Sequence, residues 1–282
     1  MATNTTINQR AVDRDSDFYT AYVNYVWKTG TAGILYKFIR SAGGRITANL
    51  IGGGGDAGFE TKVHVITPFV KVQLGPVALQ AQVYSLFGQQ MQWEGPLGNL
   101  PDSRIEQLGA WIDATGNFGM FYAGGTVAYL SGNDPGDGFN AAGAYNVGRA
   151  FNGGLDWNPC LILFNSDLNY WAGSQAGYGA NNGAGMSNAW FGQIRGGVRP
   201  VEKLDIGLAI SYANAVTKPT TAWLYNDYGY EVDLTGTYKI TNNLSYMLGG
   251  GYLFTGKYFR GAGDNNSVAN DFLVINKLTL TF

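Results

Sequence analysis

Apolar and polar residues alternate with a period of two along most of the chain. In residues 230–240, one set of alternate positions is apolar or glycine and the other is polar: Tyr230, Val232, Leu234, Gly236, Tyr238 and Ile240 against Glu231, Asp233, Thr235, Thr237 and Lys239. A helix would mix these sets, because a 3.6-residue repeat does not keep alternate positions on separate faces. The same alternation recurs in residues 19–28, 77–84, 190–199 and 204–213. It predicts β-strands with one apolar and one polar face.

The pattern predicts eleven such strands along the chain. They begin near Asp17, Thr31, Glu60, Val77, Arg104, Met120, Asn188, Lys203, Tyr228, Leu244 and Phe272. Bacterial single-chain barrels have an even number of strands. Either the polar residues 5–12 form a weak first strand, which gives about twelve, or the chain is a fragment of a longer barrel. Within the third strand the apolar phase changes near Thr67, which predicts a β-bulge at Pro68.

The connections between these strands alternate in length. Short turns are predicted at 75–76, 117–119, 200–203 and 241–243, and long polar connections at 41–58, 89–103, 131–187, 217–227 and 260–271. Tight turns at one end of the strands and long loops at the other are typical of an outer-membrane barrel. Aromatic residues at strand ends, such as Trp27, Trp190 and Phe254, favour interfacial girdles, although the core of a soluble sandwich would also use them.

The composition agrees with a membrane barrel. Charged residues make up 13% of the 282 residues, and the chain has 42 glycines and 14% aromatic residues. No run approaches the ~18–20 apolar residues that a membrane-spanning helix needs. We therefore predict an all-β fold, an antiparallel transmembrane β-barrel of about twelve strands that forms one domain over residues 1–282. Its expected location is the Gram-negative outer membrane, in contact with the lipid bilayer and its lipopolysaccharide.

Several kinds of chemistry have little support in the sequence. The net charge is −2 without a basic block, so nucleic-acid binding is not expected. Cys160 is the only cysteine, which excludes an intramolecular disulfide and a structural thiolate metal site. His64 is the only histidine, and it falls inside a predicted strand, which argues against a hydrolase. The glycine clusters lack the lysine of a phosphate-binding loop. We predict no enzyme activity, no cofactor and no metal.

The connection 131–187 is unusual because it contains an apolar segment, residues 157–164. A loop exposed only to water would not need these residues. In porins a long loop often folds into the lumen and narrows it. Trp157, Asn158, Pro159 and Phe164 are therefore candidate constriction residues. The alternatives are that the segment packs on the rim of the barrel or pairs as a further hairpin.

The alternation also predicts which charged side chains face the lumen. They are Lys37, Lys62, Lys71, Arg195, Arg199, Lys239 and Lys277, against Asp113, Asp205, Glu231 and Asp233. This basic excess predicts a weak preference for anions. The simpler alternative is that the side chains pair across strands. Glu231 and Asp233 lie on one face, as an acid–base pair would need, but solvated lining is the simpler interpretation.

Residues 228–240 and 244–254 resemble outer-membrane porins of deltaproteobacteria, a group similar to the alginate-export barrels. Residues 158–165 and the ending 277–282 also resemble that group. The resemblance implies a porin, with Phe282 as the terminal aromatic that the assembly machinery recognises. Members of the group extend further at the N-terminus. Residues 1–9 lack the charged start and the apolar core of a secretory signal peptide, so we expect a mature or truncated chain.

Three functions are compatible with the sequence. The first is a passive diffusion porin for small hydrophilic solutes and ions, with homo-oligomerisation left undecided. The second is a barrel that the long loop plugs, serving in adhesion or as a structural protein. The third is a barrel-borne hydrolase that depends on His64.

Overall fold

The computed structural model describes residues 15–42, 58–94, 100–154, 157–165 and 186–282. Its elements are β-strands and two 3-10 turns, Pro135–Asp137 and Lys257–Arg260. The strands are β1 (Ser16–Trp27), β2 (Gly30–Ser41), β3 (Gly58–Leu74), β4 (Val77–Glu94), β5 (Ser103–Phe118), β6 (Phe121–Leu130), β7 (Val147–Gly148), β8 (Ala189–Val201), β9 (Leu204–Asn214), β10 (Asp227–Lys239), β11 (Leu244–Thr255) and β12 (Asp271–Leu280). In these ranges, no helix is long and apolar enough to cross a membrane.

The strands form one antiparallel sheet in the order of the chain. Each long strand pairs with the next, from β1 to β6 and from β8 to β12, and β6 pairs directly with β8. The two-residue β7 lies in the connection between β6 and β8 and pairs in parallel with β5. The prediction of an all-β antiparallel fold of about twelve strands is confirmed. The twelfth strand of this sheet is β7, and the predicted strand at residues 5–12 lies outside the described residues.

Strand connections of two lengths alternate. Pairs β1–β2, β3–β4, β5–β6 and β8–β9 are joined by two residues each, and β10 and β11 by residues 240–243. The other connections are the longer segments 42–57, 95–102, 131–188, 215–226 and 256–270. We call the two ends of the sheet the turn side and the loop side. The predicted asymmetry between the two ends is confirmed in the sheet.

The sheet has two chemically different faces. The apolar face carries exposed hydrophobic side chains, for example Ile194 (66% exposed), Leu208 (48%) and Leu234 (56%). The polar face carries Gln193, Ser211, Glu231 and their neighbours at alternate positions. Register explains the separation, because β8, β9 and β10 pair Gln193 with Ser211 and Ser211 with Glu231. In β8, β9 and β10 the residue types and the period-two alternation both favour a β-strand.

The bulge predicted at Pro68 is wrong. The pairing of β2 with β3 runs in a single register from Gly30 opposite Val72 to Ser41 opposite Thr61. A register shift occurs instead between Glu60 and Lys62, relative to β4. The change of phase in the sequence has a different cause: Val63 and Val65 lie on the polar face, where they are 6% and 4% exposed.

The hydrophobic core lies on the polar face, at the loop side of β6 and β8–β11. Its buried members come from strands and from the long connection: Ala128, Leu130, Cys160, Ile162, Leu163, Phe164, Met186, Ala189, Phe191, Ala213, Ala215, Tyr228 and Leu253. Residues 160–164 therefore form the centre of this core although they belong to a loop. The burial of apolar surface is the main term that holds this loop segment on the sheet.

Candidate functional site

Two carboxylates of β10 bind the backbone of the loop segment 157–165, which we call the seated segment. Glu231 accepts hydrogen bonds from the backbone N–H of Ile162 on Oε1 and of Leu163 on Oε2, both at 2.7 Å. Asp233 Oδ2 accepts from the N–H of Leu161 at 3.2 Å. Three successive N–H groups thus point at two carboxylates. These three hydrogen bonds to buried acceptors fix the segment on β10.

Further hydrogen bonds determine the local shape of the seated segment. Gln193 Nε2 donates to the carbonyl oxygen of Pro159 at 2.7 Å and to Ser211 Oγ at 3.0 Å. Asn165 Nδ2 donates to the carbonyl of Leu161 at 2.8 Å. Phe164 has a φ of 57°, in the left-handed region that larger residues rarely adopt. The surrounding contacts hold the backbone in this conformation.

Aromatic contacts fill the space between the seated segment and the strands. Trp157 and Phe164 meet the ring of Phe191 edge-on, with centroid distances of 5.8 and 6.2 Å. Phe164 also meets Tyr228 edge-on at 5.5 Å. These geometries are favourable for aromatic pairs. The structure therefore brings Trp157, Pro159 and Phe164, three of the four candidate constriction residues, onto the polar face. It describes Asn158 in the same segment.

Cys160 lies inside this packing and is 4% exposed. Burial, together with the negative charge of Glu231, raises the pKa of the Cys160 thiol well above its ordinary value. Burial also shields this thiol from electrophilic reagents in solution. Ser211 hydrogen-bonds with Cys160 from the neighbouring strand β9.

A cavity of about 540 Å³ lies beside the seated segment, on the polar face of β4–β6. Trp157 and Phe151 from the long connection form one wall. The strands contribute polar and aromatic side chains, including Gln80, Gln82, Tyr84, Trp111, Asp113 and Thr126. The cavity is large enough for a small hydrophilic solute and offers it both hydrogen-bonding groups and aromatic surfaces.

Two ion pairs lie on the polar face closer to the turn side. Arg195 Nη2 donates to Asp113 Oδ1 and Oδ2 at 2.9 and 2.7 Å. Arg199 Nε donates to Asp205 Oδ2 at 2.8 Å. Tyr122 donates to Asp205 Oδ1 at 2.9 Å and lies under the Arg199 guanidinium, 4.4 Å from it. The predicted lining charges are thus partly neutralised by one another.

The structure places ten of the eleven predicted lining residues on the polar face. Register gives this position to Lys37, Lys71, Asp113, Arg195, Arg199, Asp205, Glu231, Asp233, Lys239 and Lys277. They do not share one environment. Glu231 and Asp233 are buried under the seated segment, with exposures of 0% and 4%, whereas Lys71 and Lys239 are exposed at the turn side.

Lys62 was predicted to face the lumen, but it does not lie on the polar face. Its register in β3 places it in phase with His64, whose ring contacts Phe38 and Phe87 at centroid distances of 4.9 and 5.4 Å. Phe87 is 41% exposed on the apolar face. Lys62 Nζ pairs with Glu60 Oε2 at 2.6 Å. The misplacement has the same cause as the incorrect bulge, because the apolar Val63 and Val65 belong to the polar face.

His64 belongs to an aromatic cluster on the apolar face. Its Nδ1 is 2.9 Å from the hydroxyl oxygen of Tyr36, which is 39% exposed. Its ring is stacked on Tyr36 and Phe87. Among the described residues, no serine or acidic side chain hydrogen-bonds to His64. This surrounding gives no support to a His64-based hydrolase.

The sequence did not identify the groups that anchor the seated segment. The N–H groups of residues 161–163 carry no side-chain signal, and Gln193 and Ser211 look like ordinary polar residues of alternating strands. The pair Glu231 and Asp233 stands out in the sequence, but its pattern favours solvated lining. The available signal was the combination of an apolar loop segment with two unpaired acids on one strand face, since the segment needs a surface to cover and the acids need donors.

Comparisons with known proteins give distant structural likenesses. No family model matches the chain, and no curated protein matches it. The chain is similar to the crystal structure of Pseudomonas aeruginosa OccK5 (OpdH), with 12% identity and a TM-score of 0.43 over 94% of this chain and 58% of that one. It is also similar to Pseudomonas aeruginosa OccK3 (OpdO), with 12% identity and a TM-score of 0.37 over 93% of this chain and 70% of that one.

A third likeness is to outer membrane phospholipase A from Escherichia coli, with 10% identity and a TM-score of 0.32 over 94% of this chain and 77% of that one. The chain spans less than two thirds of the length of OccK5. Likenesses at these scores carry no weight for activity, so the functional case rests on the residues of this chain.

Proposed function

We propose that the chain forms a transmembrane β-barrel channel of the Gram-negative outer membrane, through which small hydrophilic solutes and ions diffuse passively. The observation that carries this proposal is the exposure of the apolar face. Ile194, Leu234 and Val274 are 66%, 56% and 73% exposed, and similar residues recur on the neighbouring strands. A face this apolar is stable against lipid and unstable against water.

The opposite face supports a water-filled lumen. Arg195, Asp113, Arg199 and Asp205 lie there as ion pairs, and Lys71 and Lys239 are exposed there. In an outer-membrane barrel, lumen-facing positions are polar and alternate with lipid-facing ones. The seated segment then acts as the constriction, and the 540 Å³ cavity beside it as part of the solute path. The resemblance of residues 228–240 and 244–254 to deltaproteobacterial porins supports the same proposal.

The experiment is electrical. Purified protein is first shown to be folded by its heat-modifiable gel mobility in detergent, and is then added to a planar lipid bilayer. The proposal predicts stepwise conductance increases. Folded protein that inserts into vesicles and gives no steps would contradict it.

A second candidate is a plugged barrel with a structural role. The observation that favours it is the depth of the loop packing: Leu163 and Phe164 are 0% exposed, as in a permanent core. Replacing residues 157–165 with glycine and serine separates the two. A plugged barrel is silent until the replacement opens it, whereas a constricted channel already conducts and becomes wider.

A further inference from the structure

We propose that Cys160, Glu231 and Asp233 form a binding site for one divalent transition-metal ion of the zinc class. One thiol sulfur and two carboxylate oxygens from these residues lie within 4.8 Å of one another. All three residues are buried, at 4%, 0% and 4% exposure. One ligand comes from the seated segment and two from β10, so an ion there would tie the loop to the strand.

Uncompensated charge is the first argument for this site. Glu231 and Asp233 are adjacent buried acids, and buried charges are normally paired or coordinated to a metal. Every ion pair found in the described ranges involves other residues. Apart from a hydrogen bond between the two carboxyl groups themselves, the described residues offer them only the backbone N–H groups of residues 161–163. These dipoles carry no net charge, whereas a divalent cation would balance both acids.

An unsatisfied oxygen is the second and independent argument. Asp233 Oδ1 is buried, and no N–H or O–H donor of the described residues hydrogen-bonds to it. Its direction is shown by Gly251 on β11: a Cβ at that position would lie 2.7 Å from Asp233 Oδ1 and 3.3 Å from Glu231 Oε1. The free oxygen of Asp233 therefore points to the same small space as Glu231. Glycine keeps that space clear of a side chain.

The donor set selects the class of metal. A single thiolate with two carboxylates suits zinc and neighbouring first-row ions, since calcium and magnesium prefer oxygen ligands alone. Three protein ligands leave one position of a tetrahedral ion for water. Ser211, which accepts from Gln193 and hydrogen-bonds with Cys160, supplies the outer support that such thiolates usually have. From the sequence we predicted no metal, because a single cysteine excludes a structural thiolate site. The proposed site departs from that prediction and combines the one thiolate with two carboxylates.

The test uses Co²⁺ and Zn²⁺ on the full-length folded protein after treatment with a chelator. Co²⁺ should bind at one ion per chain and produce the near-ultraviolet absorption of a thiolate–cobalt bond, which Zn²⁺ should abolish. Cys160→Ser should remove the absorption. Asp233→Asn should weaken Zn²⁺ binding by more than the roughly 10–100-fold that loss of an outer-shell partner costs, and Ser211→Ala should weaken it by about that amount. Glu202→Gln, in the exposed β8–β9 turn, is the matched control and should leave binding unchanged.

Folded wild-type protein that gives no thiolate–cobalt absorption would overturn the proposal and would mean that the two acids share a proton. Absorption that persists in Asp233→Asn with unchanged affinity would overturn it as well, because the ion would then be bound elsewhere. Heat-modifiable gel mobility identifies any variant that fails to fold, and Ser211→Ala keeps all three ligands. Binding is measured without a membrane, so the outcome is independent of whether the protein conducts.

Discussion

The seated segment depends on single acceptor atoms. Both oxygens of the Glu231 carboxylate receive an N–H group, from Ile162 and from Leu163. A carboxylate can accept both, whereas an amide offers only one oxygen. Replacing Glu231 by glutamine would therefore leave a buried N–H group without a partner.

We expect Glu231→Gln to loosen the seated segment, with a penalty of about 1–3 kcal/mol for the unsatisfied group, which corresponds to roughly a 5–150-fold shift in an opening equilibrium. Cys160 reports the opening, since its thiol is buried in the closed arrangement. The measurement is the rate of maleimide labelling of Cys160 in the presence of a chelator. Glu202→Gln is the control, and equal rates in the two variants would show that Glu231 does not hold the loop.

The ion pair between Arg195 and Asp113 allows two substitutions that should change the ion preference of the pore in opposite directions. Its two side chains are 24% and 16% exposed, so each is partly shielded from solvent. Asp113→Asn leaves the positive charge of Arg195 without its partner, and Arg195→Gln leaves the negative charge of Asp113.

We expect Asp113→Asn to increase the preference for anions and Arg195→Gln to decrease it. Both effects should fade between 0.1 M and 1 M salt, because the screening length falls from about 10 Å to about 3 Å. Reversal potentials across a salt gradient measure the preference. If both variants shift it in the same direction, or neither shifts it, then this pair does not line the path.

Along the strands, two glycines make room for a side chain that crosses the polar face. A Cβ at Gly197 would lie 2.4 Å from the Tyr122 ring and 2.5 Å from the carbonyl oxygen of Ile206. Tyr122 uses this room to reach Asp205. Gly207, on the next strand, faces the Tyr122 hydroxyl in the same way.

Gly197→Ala should therefore destabilise the sheet by about 1–3 kcal/mol, the usual cost of overpacking. Gly192→Ala is a matched control in the same strand, since a Cβ there meets no atom of the described residues within 4 Å. The comparison is the temperature at which each protein loses its folded gel mobility. Equal temperatures would mean that the close approach of β8 to Tyr122 does not contribute to the stability of the folded protein.

The two faces of β10 can be compared at neighbouring positions. Leu234 is 56% exposed on the apolar face, and Thr235 lies on the polar face. In a membrane, Leu234→Arg should cost about 2–4 kcal/mol near the midplane, whereas a lumen-facing arginine costs little. In water, arginine at an exposed leucine would be nearly neutral.

We expect Leu234→Arg, and not Thr235→Arg, to reduce the free energy of folding into lipid vesicles, measured by urea titration. Equal effects of the two substitutions would contradict the assignment of the apolar face to lipid.

The period-two alternation in the sequence predicted β9 and β10 well, because alternate positions in these strands separate cleanly by polarity. It failed in β3, where Val63 and Val65 are apolar residues on the polar face. Period-two reasoning assumes that the polar face is polar throughout, and it therefore assigned Lys62 incorrectly. The sequence could not predict that residues 157–165 pack on β10. The hydrogen bonds that hold them there come from backbone N–H groups, which every residue type except proline carries.

The long strands of the described residues form a continuous meander from β1 to β12. Both of these strands run from the loop side to the turn side, because successive neighbours are antiparallel and β6 pairs with β8. Direct pairing of β1 with β12 would therefore be parallel. Antiparallel closure needs an odd number of further strands between them. Both edges expose apolar side chains, such as Tyr25 (71%) and Phe272 (73%), which suits contact with lipid or with neighbouring strands.

The proposed channel requires that the polar face lines a conducting path and that residues 157–165 narrow it. Single-channel recording of the wild-type protein beside the variant with glycine and serine at 157–165 decides both points. We predict stepwise conductance in the wild type and larger steps in the variant, because the seated segment and its aromatic residues no longer occupy the polar face. A folded, membrane-inserted wild type that stays silent while the variant conducts would contradict the proposal and would identify the segment as a plug.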